Sequence, residues 1–183
     1  MMPEISLNIL DVALNSVAAG AKLTEISLFA DRAADTLEVA ISDDGRGMTA
    51  QQAEQAADPF FTTRTTRKVG LGLPFLKMAA EFTGGSFSIE SEPGKGTKTT
   101  AVFGLSHIDR MPVGDLAGTM TALIGPNPDI DFVLRYRVDG DGFELDTREM
   151  RRILDGIPLN EPEVLSYIAG FINENIDAAG ARF

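Results

Sequence analysis

No cysteine occurs among the 183 residues, and that single absence removes disulfides, thiolate zinc sites and cysteine nucleophiles together. It suits a reducing compartment. No apolar run reaches the roughly 18 residues of a membrane span, and Met1-Met2-Pro3-Glu4 lacks the basic stretch that opens a secretory signal, so a soluble cytoplasmic protein without membrane partners is expected. Basic side chains are scarce as well, 16 Lys and Arg against 27 Asp and Glu for a net charge of −11. That balance argues against general nucleic-acid binding, because a phosphate backbone must be met by clustered Lys and Arg. Histidine occurs once, at His107.

What is present belongs to a folded globular chain: 44% hydrophobic and 23% charged residues. The length suits one domain with an appendage or two small domains. From Pro3 to Ala19 apolar residues lie nearly all round a helix, and Asn8, Asp11 and Asn15 share one polar stripe at helical spacing. Gly20 ends that helix. Glu25 to Ala30 and Leu37 to Ser42 read as an antiparallel pair of strands around a polar turn. Thr49 is placed to cap a short helix through Ala57, which Asp58-Pro59 stops. A further helix spans about Leu71 to Phe82, with Pro74 in its first turn and Gly84-Gly85 beyond its end, before strands at Phe87 to Ser91 and Thr97 to Leu105.

Periodicity lapses from Ser106 to Gly114, so the chain is divided here into residues 1–105 and an α+β extension, 106–183. The extension reads as a helix from Asp115 to Ile124 and a hairpin, Phe132 to Val138 with Phe143 to Asp146, around Asp139-Gly140-Asp141-Gly142. Helices from Thr147 and Asn160 follow, both with starts resembling capping boxes. The charge is uneven: 9 basic and 13 acidic side chains through Gly104, a net −4, against 7 and 14 afterwards, a net −7. The acidic extension is either a partner surface or a solvated face.

Three short segments carry the chemistry. Asp11 and Asn15 stand one helical turn apart; Asp43-Asp44-Gly45-Arg46-Gly47 sets a carboxylate before a double-glycine turn; and Gly70-Leu71-Gly72-Leu73 opens a helix behind Pro59-Phe60-Phe61-Thr62-Thr63-Arg64. In that order they can hold Mg²⁺, adenine and phosphates. Each alone is common, and Asp-Asp-Gly-x-Gly by itself reads better as a hairpin turn, a preference that only the other segments reverse.

In order and spacing these segments resemble the GHKL, or Bergerat-fold, ATPase superfamily of gyrases, chaperones, histidine kinases and mismatch-repair proteins, and most closely its histidine-kinase ATPase branch. The likeness covers about residues 4 to 105. Asp11 to Asn15 occupies the N box, Asp43 to Gly47 the first glycine box, Pro59 to Thr63 the phenylalanine region and Gly70 to Leu73 the second glycine box. Gly94-Lys95-Gly96-Thr97 matches the turn into the last strand. The fold so implied is α+β, a two-layer sandwich with a mixed, mostly antiparallel sheet and its helices on one face.

The resemblance also assigns roles, with ATP and Mg²⁺ as cofactors. Asn15 supplies an oxygen ligand to Mg²⁺, and Asp11 orients or deprotonates the attacking water, although it is one methylene shorter than the Glu many members carry. Asp43 accepts a hydrogen bond from the adenine amino group, aided by Thr97 through a hydroxyl or a shared water, while Gly45 and Gly47 let backbone approach the base. Thr62, Thr63, Arg64, Arg67 and Lys68 form a basic, hydroxyl-rich lid over the triphosphate. Gly70, Leu71, Gly72 and Leu73 bring the N-terminus of a helix to the phosphates. His107 follows the last strand of this region and suits a connecting segment rather than a phosphoacceptor helix.

The function implied is that of an Mg²⁺-dependent ATP-binding protein that phosphorylates a partner protein or hydrolyses ATP slowly in signal transduction. A non-catalytic, nucleotide-gated interaction module is the alternative, and an anti-sigma-factor-like serine kinase a second one. A protein partner is expected on the acidic extension, with a homodimer left open.

Overall fold

The computed structural model describes residues 2–58 and 71–179. Alternation at a period of two makes Leu23–Asp31 (β1) and Thr36–Asp43 (β2) an antiparallel pair with one face in the core, burying Ile26 and Leu28 on one strand and Leu37, Val39 and Ile41 on the other. Ahead of them, Ile5–Ala18 (α1) buries Ile5, Ile9, Val12 and Ala13, and Gly20, at φ +76°, turns the chain out of the helix. Asn8 departs from the expected polar stripe: it is buried among those apolar neighbours and donates to the Glu4 carbonyl, because four residues of helix bring the two together.

Ala50–Ala56 (α2) starts on a full capping box in which the Thr49 hydroxyl accepts from Gln52 N and the Gln52 side chain accepts from Thr49 N. Gly72–Phe82 (α3), Ser86–Glu92 (β3) and Gly96–Gly104 (β4) complete the first region. Leu116–Ile124 (α4), Asp131–Val138 (β5), Asp141–Asp146 (β6), Thr147–Leu154 (α5) and Pro162–Ala178 (α6) follow. The six strands form one sheet in the order β3-β4-β2-β1-β5-β6, antiparallel throughout except where β5 runs parallel to β1, from Leu23 opposite Asp131 to Ala30 opposite Val138. The class is α+β, a two-layer sandwich with a mixed sheet.

Helices follow the strand order. α3 packs beside α1, α1 beside α4, and α4 beside α6, so a single apolar core runs from Leu76 and Phe103 through Ile9 and Leu28 to Tyr136 and Ile172. The segment after Ser106 is therefore tied into the same sheet and core as the first hundred residues. It also closes the open end of α1: Ile5 N and Ser6 N donate to the carbonyls of Pro112 and Val113 at 3.0 and 2.8 Å, which satisfies two of the donors a helix start leaves unpaired.

Two helix starts differ from expectation. At α5 the cap is Asp146, whose carboxylate accepts from Arg148 N, because the Thr147 hydroxyl is committed to β5: it accepts from Phe132 N at 2.9 Å and donates to Asp131 Oδ1 at 3.2 Å. At α6 the helix begins at Pro162, whose fixed φ suits a first position, and Glu161 precedes it with no side-chain cap, so Asn160 lies outside the helix.

Thr147 is fully buried, and its hydroxyl is a partner of the buried Phe132 N–H. Thr147→Val keeps the shape and removes that acceptor, so it is expected to destabilise the fold by about 1–3 kcal/mol, measured as a lower urea midpoint with an unchanged slope.

Candidate functional site

α1 carries one face of the site. Asp11 is half-buried at its middle, and Asn15, one turn later, is exposed. The start of α3 presses against the first of these: a Cβ at Gly72 would sit 2.8 Å from the Asp11 Cβ and 3.3 Å from its Oδ2, so only glycine lets the two helices meet there. Burial pushes the Asp11 carboxyl up from the ordinary carboxylate range. α3 starts at Gly72 with Leu71 at its N-cap, where no side-chain cap bond is made among the described residues, so the positive end of its dipole lies beside Asp11. Leu73 turns into the core cluster and is a packing residue.

At the end of β2, Asp43 accepts from the buried Ser16 hydroxyl at 2.7 Å and from Gly45 N at 2.9 Å. Ser16 is the residue that sequence reasoning misses, although it follows Asn15 directly: a step of about 100° round the helix takes it from the exposed side to the buried one. Thr97 stands directly across from Asp43 in the β2–β4 ladder, but its hydroxyl pairs with Ser91 at 2.9 Å rather than with the carboxylate. Ser91 in turn accepts from Met48 N and donates to Gly96 O, so it ties the glycine turn to β3 and β4.

Protein backbone surrounds the two glycines after Asp43. Arg46 N donates to Ala19 O at 3.0 Å, Gly45 is buried beside Ala19, and Gly47, at φ +65°, lies so close to the Glu92 carbonyl that a side chain would collide with it. These glycines let the loop wedge between the end of α1 and the end of β3. Asp44, a mere spacer by sequence, anchors the start of β1, where its carboxylate accepts from Lys22 N and Leu23 N at 2.7 and 3.0 Å.

Thus Asp11, Asn15 and Asp43 are gathered on or against α1, with Gly72 and Leu71 at the same helix. A cavity of about 330 Å³ opens beside Asp43, with Ser42, Gly96, Thr97 and Lys98 in its wall. Thr62, Thr63, Arg64, Arg67, Lys68 and Gly70, together with the phenylalanines at 60 and 61, lie outside the described residues. Among the described residues no group of three or more His, Asp or Glu is placed to hold a metal ion. A divalent ion here would therefore draw on Asn15 Oδ1 and on oxygens of its ligand and water, a donor set that suits Mg²⁺, which keeps several waters when bound. His107 sits in the turn after β4, where Nδ1 accepts from Asp109 N and the ring packs edge-on against Phe82.

Comparison with known proteins gives this arrangement a family. The model of the histidine kinase-, DNA gyrase B-, and HSP90-like ATPases matches residues 3–107, more than half of the chain. The chain is 34% identical over 93 residues to the sensor histidine kinase ZraS of Klebsiella oxytoca, covering 50% of this chain and 20% of that protein. It is 32% identical over 106 residues to ZraS of Escherichia coli O157:H7, covering 54% and 23%. The chain thus spans about a fifth of the length of these curated relatives. Among solved structures, the N-terminal domain of a DNA repair protein superposes with a TM-score of 0.51 at 17% identity, over 79% of this chain and 52% of that one, a likeness of fold.

The raised Asp11 carboxyl has a consequence for stability. A carboxyl that is harder to ionise when folded binds its proton more tightly in the native state, so stability falls as pH rises from the unfolded value, about 3.9, through the folded one. Asp11→Asn removes that dependence. Melting curves of the ligand-free protein should show the variant close to wild type near pH 3 and more stable than wild type at pH 7.

Proposed function

Because the chain belongs to the histidine kinase-, DNA gyrase B-, and HSP90-like ATPase family, we propose that it binds ATP with Mg²⁺ between α1, the Asp43 turn and the start of α3, and passes the γ-phosphoryl group to a partner protein or to water. The observation that carries this reading is the convergence of two sequence segments on the helix that carries the third: Gly72 against Asp11, and, from the glycine turn, Asp43 bonded to Ser16 and Arg46 bonded to Ala19.

The residues divide the work. Asp43, held by Ser16 and Gly45 with one carboxylate oxygen to each, presents an acceptor in fixed orientation to the amino group of adenine; guanine offers a carbonyl at that edge and is disfavoured. Asn15 supplies a hard oxygen to the metal, whose charge offsets that of the phosphates. The N-terminus of α3, which has no side-chain cap among the described residues, adds N–H donors and the positive end of the helix dipole. Asp11, desolvated against α3, is a carboxylate with raised proton affinity and takes the proton from the attacking hydroxyl, imidazole or water.

Residues 62–68 supply the basic cover of the triphosphate in this reading, residues 1–105 hold the nucleotide and 106–183 carry the surface for a protein partner. The setting is the cytoplasm, in a signalling pathway. The kinship with sensor kinases supports transfer to a protein side chain over hydrolysis as the main reaction.

Thermal unfolding with and without Mg-ATP tests the binding step. At about 100 times its Kd the nucleotide should add roughly 2.7 kcal/mol to the native state, and GTP should add less. Asn15→Ala is expected to abolish the Mg-ATP shift, and Ser16→Ala to weaken binding about tenfold by freeing Asp43 to turn. Asp11→Asn should bind normally and lose turnover, read with γ-labelled ATP. No shift with Mg-ATP, or equal loss of binding in the Asp11 and Asn15 variants, would overturn these roles. Absence of label on any protein or in free phosphate would leave the non-catalytic module as the correct function.

A further inference from the structure

At the opposite edge of the sheet from β3, the end of β6, α5 and the first half of α6 enclose a groove of about 950 Å³ that no part of the nucleotide reading uses. Its floor is core: Leu145 and Val164 are 5% and 8% exposed. Its upper wall is not, since Ile153, Ile157 and Tyr167 are 82%, 52% and 64% exposed. Three large apolar side chains held this far into solvent around a hollow with an apolar floor mark a surface made for contact. The turn between the helices sets them there. Asp155 and Gly156 both take positive φ, at +44° and +96°, and so reverse the chain between Ile153 and Ile157.

The charge of the lining is of one sign. Glu144, Asp146, Glu149, Glu161 and Glu163 line the groove, and among the described residues no Lys or Arg does. Three of them are matched from outside the lining, Glu144 by Arg135, Asp146 by Arg148 and Glu149 by Arg152, whereas Glu161 and Glu163 form no ion pair among the described residues. We propose that this groove docks an amphipathic helix of a protein partner, with leucine-like side chains seated between α5 and α6 and Lys or Arg facing the acidic rim. The inference rests on the proposed function only for the existence of a protein partner and is independent of nucleotide.

Two other occupants fit less well. A strand added to the open edge of β6 would run along Asp141–Asp146, but of that strand only Glu144, Leu145 and Asp146 line the groove, and its other lining residues come from α5, α6 and the turn between them. A second copy of this chain, itself of net charge −11, would meet an acidic rim.

Two synthetic peptides of equal leucine and lysine content test this, one with leucines at i, i+3, i+4 and i+7, the other with strict alternation. Fluorescence anisotropy with the full chain at physiological salt should show the helical pattern binding about tenfold more tightly than the alternating one. Ile153→Asp and Glu163→Lys should each weaken it about tenfold while keeping the wild-type melting temperature and Mg-ATP shift, so failure here is distinct from failure of the nucleotide site. Equal affinity for both peptides would mean charge attraction alone and overturn the proposal. So would a preference for the alternating peptide, which indicates strand addition, or undiminished binding by Ile153→Asp. A wild-type dimer that Ile153→Asp splits would identify a second copy as the occupant and equally overturn it.

Discussion

The site depends on how α1 is fixed. A 14-residue helix in water is marginal by itself, and this one gains its position from contacts along its whole length. Its first donors are closed by the carbonyls of Pro112 and Val113, its buried face by the sheet, its middle by Gly72 at the start of α3, and its last turns by the Ser16–Asp43 bond and the Ala19–Arg46 bond. Each functional carboxylate is thereby set relative to one rigid body. Asp11 rides on the helix, and Asp43 is bonded to it across 27 residues of sequence.

Much of this is legible in the chain. Apolar periodicity locates α1, α3 and the four strands of the first hundred residues, the Thr49 cap and the Asp58-Pro59 stop locate α2, which buries no residue, and Gly45 and Gly47 mark where backbone passes close to backbone. Ser16 is not legible: a serine after Asn15 has no pattern of its own, and only the register that brings the end of β2 under α1 reveals its partner. Nor is the working role of Gly47, since a turn glycine beside a ligand and one wedged against Glu92 look the same in sequence.

The extension is legible as elements and only partly as architecture. The helix after Asp115, the hairpin and the last two helices are all visible, yet nothing local says that Asp131–Val138 lies parallel to Leu23–Asp31. That pairing is decided by burial on a scale the sequence does not show: Phe132, Leu134 and Tyr136 need the same core that Ile26 and Leu28 face. The cap of α5 escapes sequence reasoning for a related reason, because a tertiary bond to Phe132 claims the Thr147 hydroxyl before its own helix can.

Parallel pairing of β1 with β5 joins stretches more than a hundred residues apart and has a cost in time. On the ribosome, β1 must wait as an open edge until most of the chain has emerged, and closure over so long a separation is intrinsically slow. During that interval Leu23–Asp31 presents unpaired backbone groups beside exposed apolar residues, the feature that templates intermolecular sheet. Translation speed and chaperone access across the stretch between Ser106 and Asp131 therefore bear directly on how much of this protein a cell recovers in native form.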